Sequence, residues 1–140
     1  MRQVGEYPLW IGTARDARDI RAVLDADIEA VVDLAMEEPP VALTRELIYL
    51  RFPLLDGEGN PVWLLRSAVV AVSQLIAARV PTLVACSAGM SRSPCLVASA
   101  IAMAEGRPMA SVLATLPRPL DVSPRLHREL VSCLELTPDS

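Results

Sequence analysis

A cysteine and an arginine enclose five small or flexible residues in Cys86-Ser-Ala-Gly-Met-Ser-Arg92, and a hydroxyl follows at Ser93. An apolar, strand-like run, Val80-Pro-Thr-Leu-Val-Ala85, leads into this stretch, and a helix-like run from Pro94 follows it. A strand, a tight loop and a helix N-terminus together make an anion site, because successive N–H groups of such a loop point inward. A thiol at the base of that site ionises more readily. An arginine at its rim adds a planar fork matched to phosphate oxygens. The loop residues Ser87, Ala88, Gly89, Met90 and Ser91, with Arg92, are therefore expected to hold an oxyanion above a nucleophilic Cys86.

A thiolate so placed can attack phosphorus in line, while Arg92 and the loop amides stabilise the equatorial oxygens. The leaving oxygen then needs a proton, and a carboxylic acid across the site can supply it and later activate water. Asp56 is the candidate acid, with Glu58 in the same loop as its competitor. Ser93 is placed to donate a hydrogen bond to the departing thiolate. None of these steps needs a metal or a cofactor.

Other reactive side chains have plainer readings. Cys95 and Cys133 fit a core, although Cys95 lies close enough in sequence to serve as a resolving thiol for an oxidised Cys86. His127, the single histidine, suits packing or a surface better than a ligand role. Arg118 and Arg125 could line the rim of the pocket or tie loops together. Ser123 reads as an N-cap.

The elements that must position these groups alternate in type. Leu9-Trp-Ile-Gly12 is a short strand. Thr13 and Asp16 form a capping pattern for a helix running to about Asp25. Ile28–Ala35 reads as a buried parallel strand, and Glu37-Glu-Pro-Pro40 ends it. Leu47–Phe52 is a third strand, and Pro53 to Pro61 a loop. A helix is expected over 61–79, from the three- and four-residue steps of Val62, Leu65, Val69, Val72 and Ile76. Strand 82–86, the Cys86 loop and an alanine-rich helix to Glu105 come next, with Gly106 as its stop. Met109–Leu116 is a short helix, and a last one begins near Ser123. This order predicts an α/β fold: a mostly parallel sheet of four to five strands with helices on both faces. Ligands of such sheets bind at the carboxyl ends of strands, where both Cys86 and Asp56 fall.

Composition narrows the classes further. A chain of 140 residues with 52% hydrophobic content and a mean hydropathy of +0.36 suits one domain with its own core. The net charge of −4 and the lack of a basic run argue against nucleic acid or acidic membranes as partners. All 13 basic residues are arginine, which excludes lysine chemistry. Three cysteines without CxxC spacing suggest neither a disulfide framework nor a zinc site, and fit a reducing cytoplasm. No secretory leader or membrane span is expected. Nothing in the sequence indicates an oligomeric state.

The loop, with Cys86, Ala88, Gly89, Ser91, Arg92 and Ser93 in place, resembles the His-Cys-x-x-Gly-x-x-Arg-Ser signature of the dual-specificity branch of the cysteine-dependent protein tyrosine phosphatases. Leu9–Gly12, Val31–Ala35 and the segment from Pro117 to Leu130 resemble that family's flanking elements, so the likeness covers nearly the whole chain and implies one catalytic domain over 1–140. It implies a general-acid aspartate about thirty residues ahead of the cysteine, which fits Asp56 with Pro53 before it. It also implies a shallow pocket for phosphotyrosine together with phosphoserine or phosphothreonine, in a phosphoprotein or another phosphomonoester. One position departs: the family's histidine before the cysteine is Ala85 here. The resemblance then implies a less firmly held loop and a Cys86 whose ionisation moves to more alkaline pH. Two other readings stand beside the phosphatase. One is a non-catalytic phospho-recognition module; the other is a sulfurtransferase or arsenate-reductase type of enzyme, which Ser93 and Asp56 disfavour.

Overall fold

A computed structural model describes residues 1–42 and 46–135. In chain order its elements are β1 (Arg2–Gln3), β2 (Leu9–Thr13), α1 (Ala14–Arg18), α2 (Ile20–Asp25), β3 (Ala30–Ala35) and β4 (Ile48–Leu54). There follow α3 (Val62–Ala77), β5 (Thr82–Cys86), α4 (Arg92–Glu105), α5 (Met109–Leu113) and α6 (Pro124–Glu135). The sheet runs β1-β2-β5-β3-β4; β2, β5, β3 and β4 are parallel, and β1 pairs antiparallel with β2. This is the expected α/β architecture.

Helices cover both faces, and the period-two alternation of the strands divides the core between them. Val84 and Cys86 of β5 join Val32 and Leu34 of β3 beneath α3, α4, α5 and α6. Leu83 and Ala85 face the other way, into a smaller cluster with Val31, Ala17 of α1 and Val23 of α2. β3 and β5 are central and buried along their whole length, which is why their sequences read as unbroken apolar runs. Every residue of α4 from Arg92 to Ala102 is buried. Its alanines and serines let α3, α5 and α6 close around it. No helix among the described residues is long and apolar enough to cross a membrane.

Several boundaries depart from the expectations. The single helix expected from 14 to 25 is two: Asp19 (φ −83°, ψ 80°) breaks it, and its carboxylate then caps α2 by accepting from the Ala22 N–H. The Thr13–Asp16 capping box forms as its spacing indicates. β4 continues through Pro53 to Leu54. An edge strand tolerates a proline because one side of its ladder is unpaired. α4 starts at Arg92, two residues before Pro94, so the proline lies in the first turn, where its missing N–H costs nothing. α5 ends at Leu113 instead of Leu116. β1 is too short to leave a periodic pattern.

Candidate functional site

The loop between β5 and α4 is held against the end of β2. Parallel pairing sets Gly12 beside Ala85 and Thr13 beside Cys86. Gly89 then turns with φ +70°, and a Cβ built on it would lie 3.0 Å from the Gly12 carbonyl oxygen. Only glycine takes this backbone conformation freely, and only glycine admits this approach.

Cys86 sits at the bottom, 2% exposed. Its Sγ accepts the Gly89 N–H at 3.3 Å and the Ser93 N–H at 3.4 Å. Both N–H groups point at the sulfur and would stabilise it as an anion. The Ser93 hydroxyl is fully buried and has no hydrogen-bond partner. Above the thiol opens a cavity of about 220 Å³ lined by Cys86, Ser87, Ala88, Met90, Ser91, Arg92, Asp56, Glu37 and Asp121. A larger hollow of about 650 Å³ beside Tyr7 and Glu105 contains none of these reactive groups.

Arg92, at the first position of α4, is 4% exposed and fixed from one end. Its Nη1 donates to Glu37 Oε1 at 2.6 Å and to the Leu54 carbonyl at 2.9 Å; its Nη2 donates to Glu37 Oε2 at 2.8 Å. A guanidinium has five N–H groups. These contacts use the Nη1/Nη2 end and leave the Nε/Nη2 edge as the second planar fork. Burial works against the arginine's charge, but the hydrogen bond and charge of Glu37, then Cys86 and Asp56, outweigh it and hold the guanidinium above its ordinary value. Reciprocally, the hydrogen bonds from Arg92 hold the Glu37 carboxyl below its ordinary value despite partial desolvation.

Glu37 is placed by a second arginine. Buried Asp33 of β3 accepts from Tyr49 Oη at 2.6 Å and from Arg51 Nη1 at 3.3 Å. The Nη2 of Arg51 donates to the Ala35 carbonyl at 3.3 Å and the Glu38 carbonyl at 2.9 Å. The chain after β3 thus wraps around the Arg51 fork and turns Glu37 toward Arg92.

Asp56 stands on the loop after β4. Its Oδ1 accepts from Ser91 Oγ at 2.6 Å, and that hydroxyl in turn accepts the Ser123 N–H at 2.9 Å. Buried Asn60 closes the loop: its Oδ1 accepts the Leu55 N–H at 2.8 Å, and its Nδ2 donates to the Leu55 carbonyl at 3.0 Å. Glu58 points elsewhere, to Arg125 Nη1 at 2.9 Å, so Asp56 is the acidic side chain of this loop that reaches the cavity.

The residues expected to act together are therefore brought together: Cys86, Arg92, Asp56, Ser87, Ala88, Met90 and Ser91 line one cavity, while Gly89 and Ser93 are outside its lining and reach the site through their N–H groups on the Cys86 sulfur. Arg125 is occupied by Glu58, and Arg118 lies with His127 along a different hollow, so neither arginine lines this cavity. Cys95 is fully buried, and burial together with the charge of Asp56 pushes its thiol up to about 12, as a core cysteine and not a ready resolving thiol. Ser123 caps α6, accepting the Leu126 N–H at 3.3 Å. Glu37 and Asp121 were missed from the sequence. Glu37 stands two residues past the end of β3, at the carboxyl edge where such sheets bind ligands, and that rule was the available signal. Asp121 carries no local signal.

No protein-family model matches the chain, and no curated protein matches it. Solved structures do. Human DUSP28 superposes with a TM-score of 0.76 at 21% identity, over 91% of this chain and 92% of that one. DUSP15 does so with a TM-score of 0.76 at 21% identity, over 100% and 98%. The fold is that of the dual-specificity phosphatases. A human tyrosine phosphatase-like serine/threonine/tyrosine-interacting protein also superposes, with a TM-score of 0.73 at 16% identity over 89% of each chain. Within the dual-specificity phosphatase fold, the Cys86 cavity opens at the carboxyl ends of β3, β4 and β5.

Proposed function

We propose that this chain is a cysteine-dependent phosphatase that hydrolyses phosphomonoesters, phosphotyrosine foremost and phosphoserine or phosphothreonine besides, through a phosphocysteine. The observation that carries the reading is the Cys86 sulfur under two loop N–H donors, with the open fork of Arg92 and the Asp56 carboxylate in the same small cavity. The phosphoryl group sits in the loop, with two of its oxygens on the Nε/Nη2 edge of Arg92. The sulfur lone pair forms an S–P bond as the P–O bond to the leaving group breaks, and protonated Asp56 delivers its proton to the leaving oxygen. Asp56, now a carboxylate, takes a proton from water, whose oxygen attacks phosphorus as the S–P bond breaks. The pair of electrons returns to sulfur, where the Gly89 and Ser93 N–H groups and the unpaired Ser93 hydroxyl receive it.

The mechanism needs a reduced thiol, so a reducing compartment such as the cytoplasm suits it. The test is hydrolysis of an aryl phosphate by purified wild type and Cys86→Ser, with orthovanadate as inhibitor. Turnover that vanadate blocks and the serine variant lacks is expected. Folded wild type that binds a phosphopeptide and releases no phosphate would instead make the chain a phospho-recognition module.

A further inference from the structure

An oxyanion loop must keep its N–H groups turned inward, and a trans peptide holds each N–H opposite to the carbonyl of the preceding residue. Whatever grips a loop carbonyl from outside therefore aims the next residue's N–H at the anion. Two carbonyls of this loop are gripped by residues from outside both the loop and α4. The Met90 carbonyl accepts the Asp121 N–H at 2.8 Å. The Gly89 carbonyl accepts from Arg2 Nη2 at 2.7 Å, and the same nitrogen reaches the Pro119 carbonyl at 3.3 Å. Arg2 belongs to β1, a strand of two residues paired with β2 at Arg2↔Ile11 and Gln3↔Trp10. Its Nε is buried without a partner, a cost that the Nη2 contacts offset.

We infer that Arg2 is a positioning residue of the oxyanion site: by holding the Gly89 carbonyl outward it turns the Met90 N–H into the cavity. It also places a positive charge behind a loop that must hold an anion. Glycine at 89 makes this grip necessary, because its peptide can rotate more freely than any other in the loop. Ala85 makes it more so, since a methyl group offers the loop no hydrogen bond. The inference rests on the oxyanion-site reading of the loop given above, and it assigns to the first strand a part in binding that the sheet does not need for its core.

The test measures tungstate binding by calorimetry, which needs no turnover. Arg2→Met keeps the aliphatic stem and removes the donors; Arg2→Lys keeps the charge and one donor; Gln3→Ala loosens the same strand without touching the loop. Arg2→Met is expected to weaken tungstate about tenfold, the scale of one charge-assisted hydrogen bond. Arg2→Lys should stay within about threefold of wild type, and Gln3→Ala should be unchanged. The Met90 amide resonance should move on adding tungstate to wild type and to Arg2→Lys but not to Arg2→Met. Unchanged affinity in folded Arg2→Met, or an Arg2→Lys protein whose Met90 resonance ignores tungstate, overturns the role of Arg2 alone. Wild type that binds no tungstate overturns the oxyanion site itself.

Discussion

Glu37 and Arg92 lock each other in one geometry, and each consequence can be read at the level of the side chain. With the carboxylate gone, Arg92 keeps only the Leu54 carbonyl on that end, and its open fork loses its fixed direction. Glu37→Ala is expected to lower kcat/KM on an aryl phosphate on the order of tenfold to a hundredfold, the cost of misplacing a group by about an ångström. Glu37→Gln, which keeps an acceptor, should lose less. The pair also links stability to pH. The folded protein holds the Glu37 carboxyl below its ordinary value of 4.5, so the ionised form favours the fold. Its contribution is fully present above that value and is lost as pH falls through the folded one. Urea midpoints measured downward from pH 6 should fall less steeply in Glu37→Gln than in wild type. Position 85 has its own logic. Ala85 is fully buried against Ala17, Val23 and Leu83, so this side chain serves the packing of α1 on the sheet. Ala85→His, which restores the residue usual to the resembled signature, should therefore destabilise the protein by about 1–3 kcal/mol through overpacking. A thermal melt checks it.

At the scale of elements, the site is three chain ends aimed at one point: the turn after β3, the loop after β4 and the loop after β5. Asn60 decides the second. Its amide bonds the Leu55 N–H and carbonyl and the Gly57 carbonyl, closing the turn that carries Asp56. Asn60→Ala should cost about 1–3 kcal/mol for the groups left unpaired. It should lower kcat more than KM, because in the proposed reaction Asp56 acts on the leaving group and not on the bound phosphate; steady-state kinetics separate the two. These elements were legible to different degrees. β3, β5 and α4 were plain because burial on all sides leaves unbroken apolar runs, and the Cys86 loop because its chemistry demands a fixed spacing. Pro53 hid the end of β4, since a proline marks a loop unless the strand is known to lie at an edge. Asp19 hid a helix break, since an aspartate is compatible with a helix until its carboxylate caps the next one. Glu37, Asp121 and Arg2 act through contacts made across the fold; the strand-end rule points toward Glu37, and no local pattern announces Asp121 or Arg2.

For the molecule as a whole, charge decides what the cavity accepts. One arginine lines it, already paired, and three carboxylates, Glu37, Asp56 and Asp121, surround it. The chain carries −4 overall. In the proposed reaction a single phosphate gains from the loop amides and the open Arg92 fork, while a further phosphate on the same substrate finds no second basic side chain in the cavity lining and is repelled by Glu37, Asp56 and Asp121. Inositol polyphosphates should therefore be turned over at least about tenfold less efficiently than an aryl monophosphate, and added salt should narrow the gap by screening the repulsion. Competition kinetics at two ionic strengths test this. In the proposed reaction Cys86 acts covalently and Asp56 serves both steps. An aryl leaving group departs without much help, whereas water needs the Asp56 carboxylate, so Asp56→Asn should trap the intermediate while losing roughly 10²–10⁴-fold in turnover. Acid quench of Asp56→Asn during hydrolysis of an aryl phosphate, followed by mass spectrometry of the Cys86 peptide, should find close to one phosphoryl group per chain on that cysteine. Steady release of phosphate with Cys86 unmodified, or turnover that survives Cys86→Ser, would rule out covalent catalysis by this cysteine.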